Sequence, residues 1–380
     1  MKRIEDLGDE MSKQTAFHPR LAALTDRWMD LFGYLAPSAV TDTAEEYQAV
    51  RQSAGLMDFS MLRKVDLEGG GALELLNSLV TRDLAKVRPG HIAYGALTDA
   101  AGKMVDDCTA SVFGPDRIRF CGANDRDFQM FSAAAAGTKV EVRHFTDEMP
   151  HLCLQGPLSR SILQPLSDSD LSNAAFPYYT FKEEVRVADI PVFMTRLGYT
   201  AELGFELWVD EERALELFDV LVAAGEPAGM KLIGMDALDV FRIEGGFIIG
   251  GIEYDPTVSP YECGLGWAVD LEKGEFQGRE ALRADKEKSV VRLGSVVLAA
   301  GGAAASGAPL SSDGEQVGYV TQAIVSPFLG GATLGLAKLR RPHNAVGTKV
   351  TASVKGEDVS GQVVSHPVYE PQRKKAKEKT

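Results

Sequence analysis

RLGYTAELGFELWV, residues 196–209, sets a charged side chain inside an apolar run. From Gly204 onward Phe205, Leu207, Trp208 and Val209 read as a buried strand, and Glu206 falls in its middle. A carboxylate there needs a partner, either a basic side chain or the donor edge of a ligand. Tyr199, beside Gly198 in the preceding turn, is an aromatic placed where the backbone can be approached closely. These residues alone leave a structural ion pair and a binding role both open.

Strands are predicted upstream at 117–122, 139–145, 151–155 and 184–196, where β-branched residues and Phe interleave with charge. Helices follow the central stretch. Asp210 caps one that ends near Gly225 with Leu217, Phe218 and Leu221 on one side, and a second runs over 234–244 until Gly245 and Gly246 stop it. Thr43-Ala-Glu-Glu46 has capping-box spacing, predicting a helix over 44–53 that Gly55 ends. Val65-Asp-Leu67 alternates as a strand, and Leu75, Leu76 and Leu79 form the apolar side of the next helix. Between them Gly69, Gly70 and Gly71 lack the Lys-Ser/Thr of a phosphate-binding loop, so a plain turn is expected. After residue 285 short strands with Gly-Pro and Ser-Pro punctuation suggest a small β-barrel. Residues 294–310, rich in Gly, Ala and Ser, read as a strand and then a loose loop. The class is α+β.

The chain has 380 residues, enough for two or three packed domains. Lys and Arg number 40 against 54 Asp and Glu, a net charge of -14 that repels a phosphate backbone and argues against nucleic acid as a partner. Cys108, Cys121, Cys153 and Cys263 lack paired spacing and are expected to be reduced and buried. With the six His they show no metal-ligand spacing, and no G-x-G-x-x-G turn announces a flavin. The opening MKRIEDLGDEMSKQ is no secretory signal, and no run reaches the roughly 18 apolar residues of a membrane span, so a cytoplasmic protein without membrane contact is expected. The Lys-rich tail from Pro371 reads as disordered.

Chemistry-bearing residues fall in four stretches. Asp106 and Asp107 in GKMVDDCTASVF start an apolar strand whose alternation draws at least one carboxylate inward, where it can exchange protons. Glu206 and Tyr199 lie in the central stretch. Arg242 and Glu244 in FRIEGGF read as a helix cap, and Trp267 in SPYECGLGWAVDL, with Tyr261 and Glu262, reads by default as core packing.

Taken together, in order, these stretches resemble the glycine-cleavage T-protein (aminomethyltransferase) superfamily from about residue 44 to about residue 370. The matching text is AVRQSAGLMDFSMLRKVDLEG, GKMVDD, HLCLQGP, RLGYTAELGFEL, DALDVFRIEGG, SPYECGLGWAV, FQGREAL, GYVTQAIVSPFLG and HPVY. The resemblance implies a three-domain cloverleaf around a channel, with a C-terminal β-barrel. Its divisions would be an N-terminal extension at 1–43, two interleaved α+β domains at 44–285, the barrel at 286–370 and a disordered tail at 371–380. It also implies tetrahydrofolate as co-substrate, with Asp107 at the reacting nitrogens and Glu206 receiving donors from the pterin. Tyr94, Tyr178, Tyr199 and Trp267 would line the folate pocket, and Asn124 falls where the family has an Asn. Folate is anionic, so a local Lys or Arg is required that the sequence does not single out.

Two departures lie toward the donor side. Leu238 stands where the family usually has Arg, and MDLFGYLAPSAV replaces the expected entrance motif. This looks like the demethylase branch, which moves a methyl group from a small-molecule donor onto folate N5. A methoxylated aromatic acid is the favoured donor, with Tyr34, His91 and Tyr94 as candidate proton donors to a leaving phenolate. The alternatives are a dimethylsulfoniopropionate-type S-demethylase, an aminomethyltransferase served by a lipoyl carrier protein, and a non-catalytic folate-binding protein.

Overall fold

A computed structural model of the chain describes residues 2–3, 12–299 and 304–378. The Gly204–Val209 strand is buried along its whole length, in a six-stranded sheet between Ile190–Thr195 and His151–Gln155. Strand alternation divides its side chains. Phe205, Leu207 and Val209 join Leu217, Phe218 and Leu221 of the Ala214–Gly225 helix in one core. Trp208 faces the other way and packs with Phe193, Phe145 and Cys121. Cys121 and Phe145 belong to or follow a second, five-stranded sheet ordered His91–Thr98, Met104–Gly114, Arg117–Gly122, Arg63–Glu68 and Glu141–His144. Glu206 therefore lies on the face of one sheet turned toward the other. Burying each of these large apolar side chains contributes about 1.5–3 kcal/mol.

Six strands between Val291 and Val364 close into a barrel, as the change of pattern after residue 285 predicts. The Met235–Gly245 helix packs on it through the Glu315–Ser326 and Ala332–Arg340 strands. A small sheet pairs Lys2–Arg3, Trp28–Leu31 and Tyr34–Pro37. All four cysteines are free and buried. Among the described residues, no helix is long and apolar enough to cross a membrane. The loop expected within 294–310 falls partly on residues 300–303, outside the described residues.

Several local expectations are corrected. The Thr43–Gln52 helix is capped by Asp42, whose side chain accepts from the Ala44 and Glu45 amides, and Glu46 instead accepts from Val40 and Thr41 amides and from Gly234. Gly55 does not end that helix but opens a strand, and it is glycine for lack of space: a Cβ there would stand 2.4 Å from both Ile233 and Val50. The single strand read at 184–196 is a hairpin, Phe181–Val187 and Ile190–Thr195, turned by Ala188 and Asp189 at positive φ. Neither residue advertises a turn as Gly or Pro would. The tail read as disordered from Pro371 forms a short Lys374–Lys377 helix, with Ala376 buried and Arg373 inserted beside Phe247. Arg242 and Glu244 are far more than a cap. Both are buried, Arg242 paired with Asp239 and Glu253, Glu244 with Arg51.

Candidate active site

Asp106 and Asp107 are consecutive on the Met104–Gly114 strand, so they project to opposite faces. Asp106 turns to the Gly122–Asn124 bend, where it accepts from the Ala123 amide and from the Asn124 amide at 3.1 Å. Asp107 is half-buried and accepts from the Tyr94 hydroxyl at 2.6 Å. Between them stands Tyr254, whose hydroxyl lies 2.5 Å from Asp107 and 2.8 Å from Asp106 and can donate its one proton to either. Tyr254 is a residue that sequence reasoning missed, because IEYDPT carries no signal beyond an aromatic in a loop. Burial first, then the neighbouring Asp106 charge, pushes Asp107 up to about 6, while the Tyr254 and Tyr94 hydroxyls pull it back. A carboxyl poised there exchanges protons near neutrality.

Around this carboxyl the aromatics divide into two groups. Tyr94 stacks on Trp267 with ring centroids 5.9 Å apart and planes 13° from parallel. Trp267 is 61% exposed, which corrects the core-packing reading and makes it an open stacking face. Tyr199 donates its hydroxyl to the Ile248 carbonyl and leans on Phe247 at 4.9 Å. The Arg373 guanidinium lies 4.2 Å over that same Phe247 ring and donates to the Gly245 carbonyl at 2.6 Å. Its Nη1 is buried without a partner. A buried guanidinium nitrogen left unsatisfied is a place for an anionic or carbonyl oxygen. Arg373 is an ordered, buried cation in a tail whose composition suggested disorder. Tyr178 and Tyr179, in edge contact at 4.6 Å, lie within the electrostatic reach of Arg373.

Glu206 is paired in register with Cys153 and Thr195 and accepts from the Thr195 hydroxyl at 2.9 Å. Burial pushes it up to about 7. Among the described residues no basic side chain bonds to it, although the Lys64 charge reaches it, so the structural ion pair left open by the sequence is not formed there. Beside it, His151 is wholly buried with both ring nitrogens unpartnered, stacked 5.0 Å from Trp208. Ligand atoms of His151, Cys153 and Glu206 lie within 4.8 Å of one another, the one such trio among the described residues. These three could hold a metal ion by donor type. They are equally a set of polar edges for a flat heterocycle; burial first, and then the nearby Lys64 ammonium, hold His151 well below the usual imidazole range, and that ammonium opposes a cation.

The remaining candidates lie at the margin of this site or away from it. Asn124 donates its side-chain amide to the Val105 carbonyl at 2.9 Å and so braces the strand behind Asp106. Tyr34 donates to Asp147 and lines a cleft of about 570 Å³ with Phe32, Arg63, Asn124, Asp106 and Tyr254. Leu238 is buried in the apolar cluster containing Tyr34, Phe59 and Phe241. His91 is not brought to the site. It opposes Val112 in the strand register whereas Asp107 opposes Ala96, five residues along, and its ring contacts Arg88 and the Pro89 carbonyl. At about 3.3 Å per residue that is some 16 Å, which removes His91 as a proton donor to a group at Asp107.

Comparison with known proteins agrees with this architecture over nearly the whole chain. Residues 17–273 match the GCVT N-terminal domain, and residues 292–370 match the glycine cleavage T-protein C-terminal barrel domain. An aminomethyltransferase of Geobacillus thermodenitrificans is 34% identical over 364 residues, 94% of this chain and 99% of that protein. One from Moorella thermoacetica is 33% identical over 361 residues, with 94% and 98% covered. The crystal structure of glycine cleavage system aminomethyltransferase T from Bartonella henselae superposes with a TM-score of 0.85 at 23% identity, covering 94% of this chain and 98% of that one. That likeness establishes the three-domain fold with its barrel.

Proposed function

Because the chain belongs to the glycine cleavage T-protein family, we propose that it transfers a one-carbon unit to tetrahydrofolate as an aminomethyltransferase. The observation that carries this reading is the Asp107 carboxyl, raised to about 6 and held by Tyr94 and Tyr254 beside stacked aromatics. The full-length correspondence to curated aminomethyltransferases supports the same reaction in preference to the demethylation read from the sequence. The product would be methylene-tetrahydrofolate with ammonia, and the donor would arrive on a lipoyl carrier protein.

The residues fit a folate. Among the described residues no basic side chain bonds to Glu206, and its raised pKa lets it accept from, or share a proton with, the amino and ring N–H edge of a pterin. Tyr199, Phe247, Tyr94 and Trp267 offer faces on which flat rings bury area at little rotamer cost. Arg373, with its unpartnered Nη1, meets the acyl or glutamate oxygens. Asp107 accepts the proton released as N5 bonds to the incoming carbon and returns it to the amino group that leaves as ammonia; N10 then bonds to the same carbon as its bond to the carrier sulfur breaks, and the N10 proton passes to that sulfur.

Leu238 favours a second reading, the tetrahydrofolate-dependent demethylase. It puts an apolar side chain, packed among apolar neighbours, where the family usually has Arg, so a donor bearing a methyl group in place of an aminomethyl one would meet a less polar side chain there. Anaerobic incubation with tetrahydrofolate and a panel of aminomethylated lipoyl carrier, vanillate, a methoxybenzoate and dimethylsulfoniopropionate separates the two. Methylene-tetrahydrofolate from the carrier supports the first. 5-Methyltetrahydrofolate from any other member supports the second, and no folate product from the panel overturns both.

Glu206→Gln is expected to weaken folate binding about tenfold or more, because an amide offers one acceptor oxygen and brings two unwanted donors. Equilibrium titration measures it. An unaltered dissociation constant would remove Glu206 from the pterin contact.

A further inference from the structure

Behind the Asp106–Asp107 pair lies a third carboxyl, Asp127, in the first turn of the Arg126–Ala135 helix and wholly buried. Neither of its oxygens receives a well-formed hydrogen bond from another residue. Asp106 Oδ2 crowds the same space at Gly122 as Asp127 Oδ2, and two carboxyls that close can share a hydrogen bond only if one keeps its proton. Gly122 makes the approach possible: a Cβ at that position would stand 2.4 Å from Asp106 Oδ2 and 2.8 Å from Asp127 Oδ2, so both oxygens crowd the space a side chain would fill.

Which acid holds the proton follows from their other partners. Asp106 accepts from two backbone amides at the bend, from its neighbour's amide at 3.0 Å and from Tyr254. That donor set stabilises an anion. Asp127 has only the Asn124 backbone amide to set against these. Facing it are Asp106, Asp107 and Cys108 from one strand and Cys121 from the next, none of them a cation. Lys64 reaches Cys121 electrostatically, but its ammonium donates to the Ser60 and Leu62 carbonyls. His144 meets only Phe128 of the helix, at 5.6 Å. The helix dipole favours an anion at this end, yet it cannot offset burial beside a second carboxylate. Burial and the Asp106 charge accordingly raise Asp127 well above the ordinary carboxylate range.

We infer that Asp127 is a positioning residue which stays protonated and donates to Asp106, locking the anion that orients Tyr254 and the Asp107 backbone. Resting on the reading of Asp107 as the proton-exchanging group, the device has two effects. It fixes the acceptor that holds Tyr254 against Asp107. It also keeps one negative charge, not two, behind Asp107, so that Asp107 is raised only to the edge of neutrality.

The test separates this device from the reaction itself. The infrared spectrum of the intact protein at pH 8, minus that of Asp127→Asn, should contain the C=O stretch of an un-ionised carboxylic acid. This readout needs no substrate, so it stands even if the assigned reaction fails. Absence of that band overturns the inference. In turnover, Asp127→Ala should lower kcat about tenfold with KM little changed, and Asp127→Asn, which keeps a donor and adds no charge, should recover most of it. The acid limb of the pH profile should stay in place in Asp127→Asn. A limb displaced to lower pH would mean that a negative charge had been removed, and the inference would be wrong.

Discussion

Asp107→Asn is expected to reduce turnover by about a hundredfold or more while folate binding is retained. The amide keeps the shape and one of the two oxygens that accept from Tyr94 and Tyr254, turns the other position into a donor, and removes the exchangeable proton. The wild-type profile of kcat/KM should fall as pH drops through about 6, because the ionised form is the acceptor and burial has raised its pKa to that value. Asp107→Asn should lose that limb. Stability moves the other way. A carboxyl raised from 3.8 to about 6 on folding penalises the folded state, and the penalty is absent below the unfolded value and complete above about 6. Asp107→Asn should therefore be no less stable than wild type at pH 8, and thermal unfolding reads this directly. Retained turnover, or a loss explained by unfolding, would take Asp107 out of the chemistry.

Much of this site was legible in the sequence because its signals are local. Glu206 stands out within GFELWV by polarity alone, and the DD pair by its place at a strand start. Their partners were less visible. Tyr254 reaches Asp107 from a loop 147 residues away in the chain. Arg373 was hidden by composition: a Lys-rich tail signals solvation, and only tertiary contact with Phe247 and the Gly245 carbonyl reveals an ordered cation. Trp267 was misread because tryptophan usually lies inside, whereas here its face stays open above Tyr94. His91 was favoured by chemistry and removed by register. Of the fold, the barrel and the central strands follow from periodicity. The Phe181–Thr195 hairpin did not, since its turn uses Ala188 and Asp189.

The largest effect on stability is expected from Arg51→Met. Arg51 looks unremarkable in AVRQSAG, a basic residue near the end of a helix. In the fold its side chain is 8% exposed and paired with Glu244 at 2.7 Å and Glu202 at 3.1 Å. The guanidinium also donates to the Thr200 carbonyl at 2.8 Å and lies 3.7 Å over the Tyr369 ring. Glu244 in turn accepts from Tyr47 at 2.8 Å and from Ser326, in the barrel, at 2.7 Å. One side chain thus joins the Thr43–Gln52 helix, the turn before the Glu206 strand, the Met235–Gly245 helix and the C-terminal segment, with the barrel held through Glu244. Methionine fills most of the volume but leaves Glu244 and Glu202 buried without their main cation, at a cost of about 3–5 kcal/mol. Lys375 at 3.3 Å compensates only Glu202. The urea midpoint should fall accordingly. Arg51→Lys should recover only part of the loss, because an ammonium cannot serve two carboxylates and stack on Tyr369 at once. Double substitution with Glu244→Gln decides the cause: if the buried carboxylate is the source of the damage, removing its charge should restore stability to Arg51→Met. Two losses that simply add would instead assign the effect to packing.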